Sequence, residues 1–209
     1  MKKNLIWIGA GVLGLALVVL LAASIAGEEP IDSSVGFGEV TVEGNALPTI
    51  DNPNAGDPTV GLLAPTLSGA DWNGTSVSIA PDGRSKIVVL LAHWCPHCQA
   101  EVPVILDWAA RGGLPADVDL YGVTVLTTPS RVEFPPQDWL EGEGWDFPTI
   151  MDNEAGDAAL AYGLSGTPYY LVLDGENRNL GRFAGEIGIA GLNTLAQIAQ
   201  AGLSTSPAP

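Results

Sequence analysis

Cysteine and histidine are nearly missing from these 209 residues: there are two of each, Cys95 and Cys98, His93 and His97. Two cysteines exclude a framework of several structural disulfides and a four-cysteine zinc site. Positive charge is scarce as well, with 8 Lys and Arg against 24 Asp and Glu, for a formal net charge of −16. Such a surface repels a phosphate backbone, so nucleic acid is not an expected partner. What is present is concentrated: all thiol and imidazole chemistry falls within residues 93–98. Hydrophobic residues make up 46%, which allows a packed core and excludes wholesale disorder. The length fits one domain with an appendage better than two full domains.

Met1-Lys2-Lys3-Asn4 precedes an uncharged run from Leu5 to Ala26. As a helix that run spans roughly 33 Å, enough to cross the hydrocarbon core of a bilayer. Lysines before it and Glu28 and Glu29 after it predict a single-pass anchor over residues 1–27, N-terminus cytoplasmic and the rest of the chain outside the cytoplasm. The alternative is a signal segment cleaved after Ser24-Ile25-Ala26, which would release a secreted domain; the length of the run favours the anchor. No cysteine lies near its end, so a lipoprotein is excluded. Residues 28–59 carry seven acids, no Lys or Arg, and the string Asp51-Asn52-Pro53-Asn54-Ala55-Gly56-Asp57-Pro58, and they read as an acidic flexible linker. A short strand around Val40–Val42 is left open within it. Residues 204–209 read as a disordered tail.

Residues 60–203 read as the folded domain. Thr75–Ala80 alternates Val77 and Ile79 with polar positions, predicting a strand. Ile87-Val88-Val89-Leu90-Leu91, within Lys86–Ala92, predicts a strand buried on both faces. A helix is expected from Cys95 to Ala110, kinked at Pro103 inside it and stopped by Gly112-Gly113. Further strands are expected at Val118–Leu126, Tyr169–Leu173 and Leu180–Ala184, the last two joined as a hairpin through Asp174-Gly175-Glu176-Asn177. Helices are expected at Gln137–Glu141, Asp157–Tyr162 and Ile189–Ala201. Together these predict an α/β sandwich with a mixed central sheet flanked by helices.

The chemistry sits at His93-Trp94-Cys95-Pro96-His97-Cys98. Two cysteines separated by two residues at the start of a helix suit a reversible redox pair. The first meets the helix's free N–H groups and macrodipole, which favour a thiolate. The second lies about one turn on, within disulfide reach. The position directly after a buried strand is the carboxyl edge of the sheet, where open α/β folds place their sites. An imidazole at His97 would further stabilise the Cys95 thiolate and make the disulfide more oxidising. Haem attachment needs a histidine where Gln99 stands, and no second ligand pair exists for zinc. No metal and no cofactor are therefore expected.

The stretch from Ala92 to Pro103 resembles the active-site segment of thioredoxin-fold proteins, in particular the membrane-anchored TlpA/ResA-like thiol–disulfide oxidoreductases. Val60-Gly61-Leu62-Leu63-Ala64-Pro65 with Asp71-Trp72-Asn73-Gly74 resembles that family's entry segment, and Gly166-Thr167-Pro168 resembles the superfamily's cis-proline loop. The resemblance covers roughly Thr59 to Leu203. It implies a thioredoxin-like sandwich preceded by a transmembrane helix, with Cys95 as attacking thiol and Cys98 as resolving thiol. It also implies that Trp94 shields the pair, that Thr167 and Pro168 line a substrate groove, and that Glu101 is a proton acceptor for Cys98. The alternative for Glu101 is an ordinary exposed helix glutamate, and for Thr167-Pro168 a plain turn.

Two positions depart from relatives. Val89 stands where thioredoxins proper carry a buried aspartate, and Pro96-His97 matches the oxidising, DsbA-like dipeptide, so both redox directions stay open. The function expected is disulfide exchange with protein thiols and disulfides, served by a redox partner protein. The competing classes are a copper- or partner-binding module on the same fold, and a thiol peroxidase.

Overall fold

All seven residues of β4 (Ser85–Leu91) are buried, which requires cover on both faces of the sheet that contains them. The computed structural model of the chain describes residues 35–50 and 56–203. There β4 is the middle strand of a five-stranded sheet ordered β6 (Thr149–Met151), β5 (Val118–Thr124), β4, β7 (Tyr169–Leu173), β8 (Asn179–Ala184). β4, β5 and β6 run parallel, while β7 and β8 are antiparallel to their neighbours. This is the mixed sheet the sequence predicts.

The period-two alternation of a strand assigns the two cores. Ile87, Val89 and Leu91 meet Val102, Ile105 and Trp108 of α1 (Pro96–Ala110) and Leu192 and Leu195 of α4 (Gly188–Leu203). Trp139 and Leu140 of α2 (Pro136–Glu143) join this side. Val88 and Leu90 face the other way, against Leu67, Ile79 and Tyr162. Those residues come from β2 (Thr66–Ala70), from β3 (Ser76–Ile79) and from the end of α3 (Asp157–Ala161). Each fully buried aliphatic side chain contributes about 1.5–3 kcal/mol, so this strand alone organises much of the fold.

Helix α1 starts at Pro96, a first helical position where a missing N–H costs nothing. It runs through Pro103 as one helix. Gly112 takes a left-handed conformation (φ 79°) just past its end, and the Gly113 N–H donates to Trp108 O at 2.9 Å. This is the glycine stop that the sequence predicts.

A second sheet, β1 (Thr41–Glu43), β2 and β3, is antiparallel and packs over the second core. Thr66-Leu67-Ser68-Gly69-Ala70 was not legible as a strand because Leu67 is its only large apolar residue. Its pairing supplies what its composition lacks. Gly69 is required there, since a Cβ would sit 2.9 Å from Ile150 Cγ2 and 3.0 Å from Glu39 O.

The expected anchor (1–27) and tail (204–209) lie outside the described residues. No helix among the described residues is long and apolar enough to cross a membrane. The expected linker, 28–59, needs correction in its described parts. Thr41–Glu43 pairs with β2, the Leu47 N–H donates to Ala161 O at 2.9 Å, and the Leu47 and Thr59 side chains are buried. Composition suggested flexibility because this segment has few large apolar residues. Its order comes from backbone pairing and from one buried ion pair instead.

That pair is Asp57 with Arg182. Nε and Nη2 of Arg182 reach Asp57 Oδ2 and Oδ1 at 2.8 Å each. Thr59 and Asn179 donate to the same carboxylate, while Arg182 Nη1 donates to Pro48 O at 2.8 Å. Burial pushes the Asp57 carboxyl up, but the Arg182 hydrogen bonds and those from Thr59 and Asn179 outweigh it and hold it well below the usual carboxylate range. Removing one partner leaves a buried charge alone, so Asp57→Ala is expected to cost about 3–5 kcal/mol in chemical denaturation. A depressed folded value also means that the pair's stabilisation is complete at neutral pH. It is lost as pH falls below the unfolded carboxyl's ordinary value of about 3.9 towards the folded one. Acid denaturation midpoints of the two proteins check this: the variant should lose less stability across that range.

Candidate functional site

Two rules of the sheet bring the site together. β4 ends at Leu91 and α1 begins at Pro96, so Cys95 lies at the carboxyl edge of the central strand. β7 is antiparallel to β4, with Tyr169 opposite Leu90, so the residues just before β7 reach the same edge. Those residues are Thr167 and Pro168, joined by a cis peptide bond. The Cys95 thiol donates to Thr167 O at 3.4 Å, across 72 positions of sequence.

Cys95 is the N-cap of α1 (φ −81°, ψ 117°), its N–H tied to Ala92 O at 3.0 Å. Both cysteines are free thiols, but their surroundings differ. Burial pushes the Cys95 thiol up. Hydrogen bonds from the Thr167 side chain, from the Cys98 backbone and side chain and from the His97 N–H outweigh it, and Cys95 ends below its ordinary value. Cys98 has no exposed surface. Burial, with the neighbouring Cys95 charge, pushes it up to about 12, against a lowering hydrogen bond at Ala92. One thiol is therefore poised to ionise and the other to keep its proton.

His97 is exposed, and its Nδ1 pairs with Glu186 in the loop before α4. The Glu186 hydrogen bond, then its charge, raises the imidazole's pKa. This favours the cationic form of the ring in the first turn of α1. Glu101 is not the exposed glutamate of the bland alternative: it is 2% exposed. Its Oε1 accepts from the Tyr170 hydroxyl at 3.0 Å and from the N–H groups of Ile187 and Gly188 at 3.2 and 2.9 Å. A carboxylate on α1 thus caps the start of α4. Among the described residues no hydrogen bond joins Glu101 to Cys98.

Trp94 is half-buried, its Nε1 donating to Leu126 O at 2.8 Å, and the Arg131 guanidinium lies 4.8 Å from its ring centroid. His93 is fully buried. Its Nδ1 meets Val132 O at 2.7 Å and its Nε2 accepts from the Thr128 N–H at 3.1 Å. Both ring nitrogens are therefore engaged with the loop between β5 and α2. No cluster of three or more His, Cys, Asp or Glu side chains among the described residues is placed to hold a metal.

Sequence reasoning overlooked Glu186, Tyr170 and Arg131. Tyr170 carried a signal, being a phenol inside a buried strand whose hydroxyl needs a partner. Glu186 and Arg131 carried none, because only the fold brings their loops to the cysteines.

A model of the family described as Redoxin matches residues 43–188. The chain is similar to the thiol:disulfide interchange protein HelX of Rhodobacter capsulatus, 30% identical over 106 residues, covering 51% of this chain and 55% of that protein. It is also similar to a thiol:disulfide interchange protein, a DsbE homologue, of Paracoccus denitrificans, 31% identical over 102 residues, covering 49% and 51%. The chain thus spans about half the length of these two relatives. Among solved structures, a putative thiol:disulfide interchange protein DsbE from Chlorobium tepidum matches with TM-score 0.56 at 19% identity, covering 69% of this chain and 97% of that one. StoA from Bacillus subtilis matches with TM-score 0.54 at 19% identity, covering 66% and 98%. These likenesses give the fold as thioredoxin-like, with its mixed sheet flanked by helices.

Proposed function

Because the chain belongs to the Redoxin family, we propose that it is a thiol–disulfide oxidoreductase that exchanges disulfides with protein substrates through Cys95 and Cys98. The observation that carries this reading is the asymmetry of the two thiols. A thiol held below its ordinary pKa faces the cis-proline loop, and a fully buried partner with a raised pKa sits three residues on. In the reducing direction the Cys95 thiolate attacks a substrate disulfide, forming a Cys95–substrate bond as one substrate thiolate leaves. Cys98 then gives up its proton and attacks Cys95 Sγ. The second substrate thiol departs and the Cys95–Cys98 disulfide remains, two electrons having passed to the substrate. The oxidising direction is the reverse.

Thr167 and Pro168 line the groove for the substrate backbone, Trp94 covers the pair, and Glu101, one helical turn on from Cys98, accepts its proton. The uncharged run Leu5–Ala26, in the TlpA/ResA-like pattern, supports a membrane tether with this domain outside the cytoplasm. The experiment is a paired assay, insulin-type disulfide reduction and dithiol oxidation, run on the purified chain. Turnover in at least one supports the reading, and inertness in both refutes it.

The direction is set by the couple's potential. Stabilising the Cys95 thiolate stabilises the reduced form and raises that potential. His97, whose protonated form is favoured by Glu186 in the helix's first turn, acts in this sense. His97→Ala should therefore shift the potential negative. A tenfold change in the exchange equilibrium is about 30 mV, and for so exposed a group the shift is expected to be of that order or smaller. Equilibration of both proteins against glutathione buffers reads it. An unmoved or more positive potential removes His97 from the account of redox direction.

A further inference from the structure

Six lysine and arginine side chains lie among the described residues, and five of them hold a carboxylate: Arg84 with Asp119, Lys86 with Asp82, Arg111 with Asp107, Arg178 with Glu176, and Arg182 with Asp57. Among the described residues Arg131 has no such partner, and Glu133, two residues on, closes no ion pair with it. Its guanidinium stacks on Trp94, the residue before the attacking cysteine. In a chain with a net charge of −16, the one lysine or arginine among the described residues without a carboxylate is thus the one stacked on Trp94, the sequence neighbour of Cys95.

The loop that carries it is fixed there. His93 spans it from inside, through Val132 O and the Thr128 N–H, and Trp94 holds Leu126 O. A neutral ring with its proton on Nδ1 fits both bonds, and burial pushes the His93 pKa down, favouring that form. The two residues immediately before Cys95 therefore anchor the loop at three points, which places Arg131 over the Trp94 ring. Leu126 and Val132 leave 46% and 65% of their surface exposed on the same loop. A loop that exposes a guanidinium and two apolar side chains is suited to a short acidic and apolar segment.

We propose that Arg131 is a specificity-determining residue that receives a carboxylate of the protein substrate, an Asp or Glu beside the reacting cysteine, with Leu126 and Val132 taking an apolar neighbour. This rests on the disulfide-exchange reading and names the class of substrate for it. The overall negative charge repels acidic proteins at long range. Arg131 makes a local exception at the point of contact, which selects for the position of a carboxylate and not for total charge.

The test uses the reduced full chain and three peptides, each carrying one cysteine in a disulfide with a chromogenic thiol. The cysteine is flanked by Asp, by Lys or by Ser. The Cys95 thiolate displaces the chromogenic thiol and forms the mixed disulfide, so release reports the rate. The readout is the ratio of the Asp to the Lys rate, an internal control for any change in thiol reactivity. In Arg131→Glu this ratio should fall about three- to tenfold at low ionic strength, with the difference shrinking as salt rises. Arg131→Lys should keep the ratio within about twofold of the starting protein. A ratio unchanged in Arg131→Glu overturns the proposal, as does an Arg131→Lys protein that loses it as completely as Arg131→Glu. Failure of the unaltered protein to react with the Ser peptide would overturn the exchange reading itself, so the two failures are distinguishable.

Discussion

Cys95→Ser is expected to reduce both insulin-type reduction and dithiol oxidation to background, a loss on the order of a thousandfold or more, because a hydroxyl does not ionise near neutral pH and cannot replace the thiolate. Cys98→Ser is expected to behave differently. Its Cys95 still attacks, but nothing resolves the product, so a mixed disulfide accumulates and turnover stops after one event. The two variants separate the roles that the geometry suggests, since Cys95 faces the cis-proline loop while Cys98 has no exposed surface. Non-reducing gels with mass spectrometry of the adduct distinguish them. Turnover by Cys95→Ser in either assay would remove Cys95 from the chemistry.

Glu101→Ala is expected to destabilise the domain by about 3 kcal/mol. The side chain takes three hydrogen bonds on one oxygen, and its removal strands the buried Tyr170 hydroxyl and two N–H groups at the start of α4. Glu101→Gln keeps an acceptor oxygen in that place, so its cost should be nearer 1 kcal/mol. It cannot, however, take up a proton as a carboxylate does. If Glu101 receives the Cys98 proton, the glutamine variant closes the Cys95–Cys98 disulfide roughly tenfold more slowly while remaining folded. A purely structural Glu101 predicts an unchanged closure rate in that variant. Urea unfolding and stopped-flow oxidation of the dithiol read the two effects separately.

How much of this was legible in the sequence depends on whether a residue's partner lies nearby. Ile87–Leu91 announced a central strand by apolarity alone, and the glycine pair at 112–113 announced a helix stop. The hairpin Tyr169–Ala184 followed from its turn residues, with β8 starting one residue earlier than expected, at Asn179. The cysteine pair was readable because its chemistry lies within one helical turn. The strand Thr66–Ala70 and the ordered segment before residue 60 were not readable, since their stability comes from partners such as Arg182, 125 positions from Asp57. Glu101 was placed one turn from Cys98 by spacing, but its burial depends on Tyr170 and the α4 N-terminus. Neither Glu186 nor Arg131 could be assigned to the site before the fold set their loops beside His97 and Trp94.

The central claim is that the two cysteines are unequal: Cys95, 6% exposed with its thiol held below its ordinary pKa, is the nucleophile, and Cys98, with no exposed surface and a raised pKa, is the resolver. Alkylation of the reduced protein with iodoacetamide as a function of pH, with each cysteine followed by peptide mass spectrometry, tests it most directly. Only the thiolate reacts, so the rate at each position follows its ionisation. The account predicts that Cys95 is modified with a midpoint below that of a free cysteine, about 8.5, while Cys98 stays unmodified through neutral and mildly alkaline pH. Equal rates at the two positions, or modification of Cys98 ahead of Cys95, would contradict it.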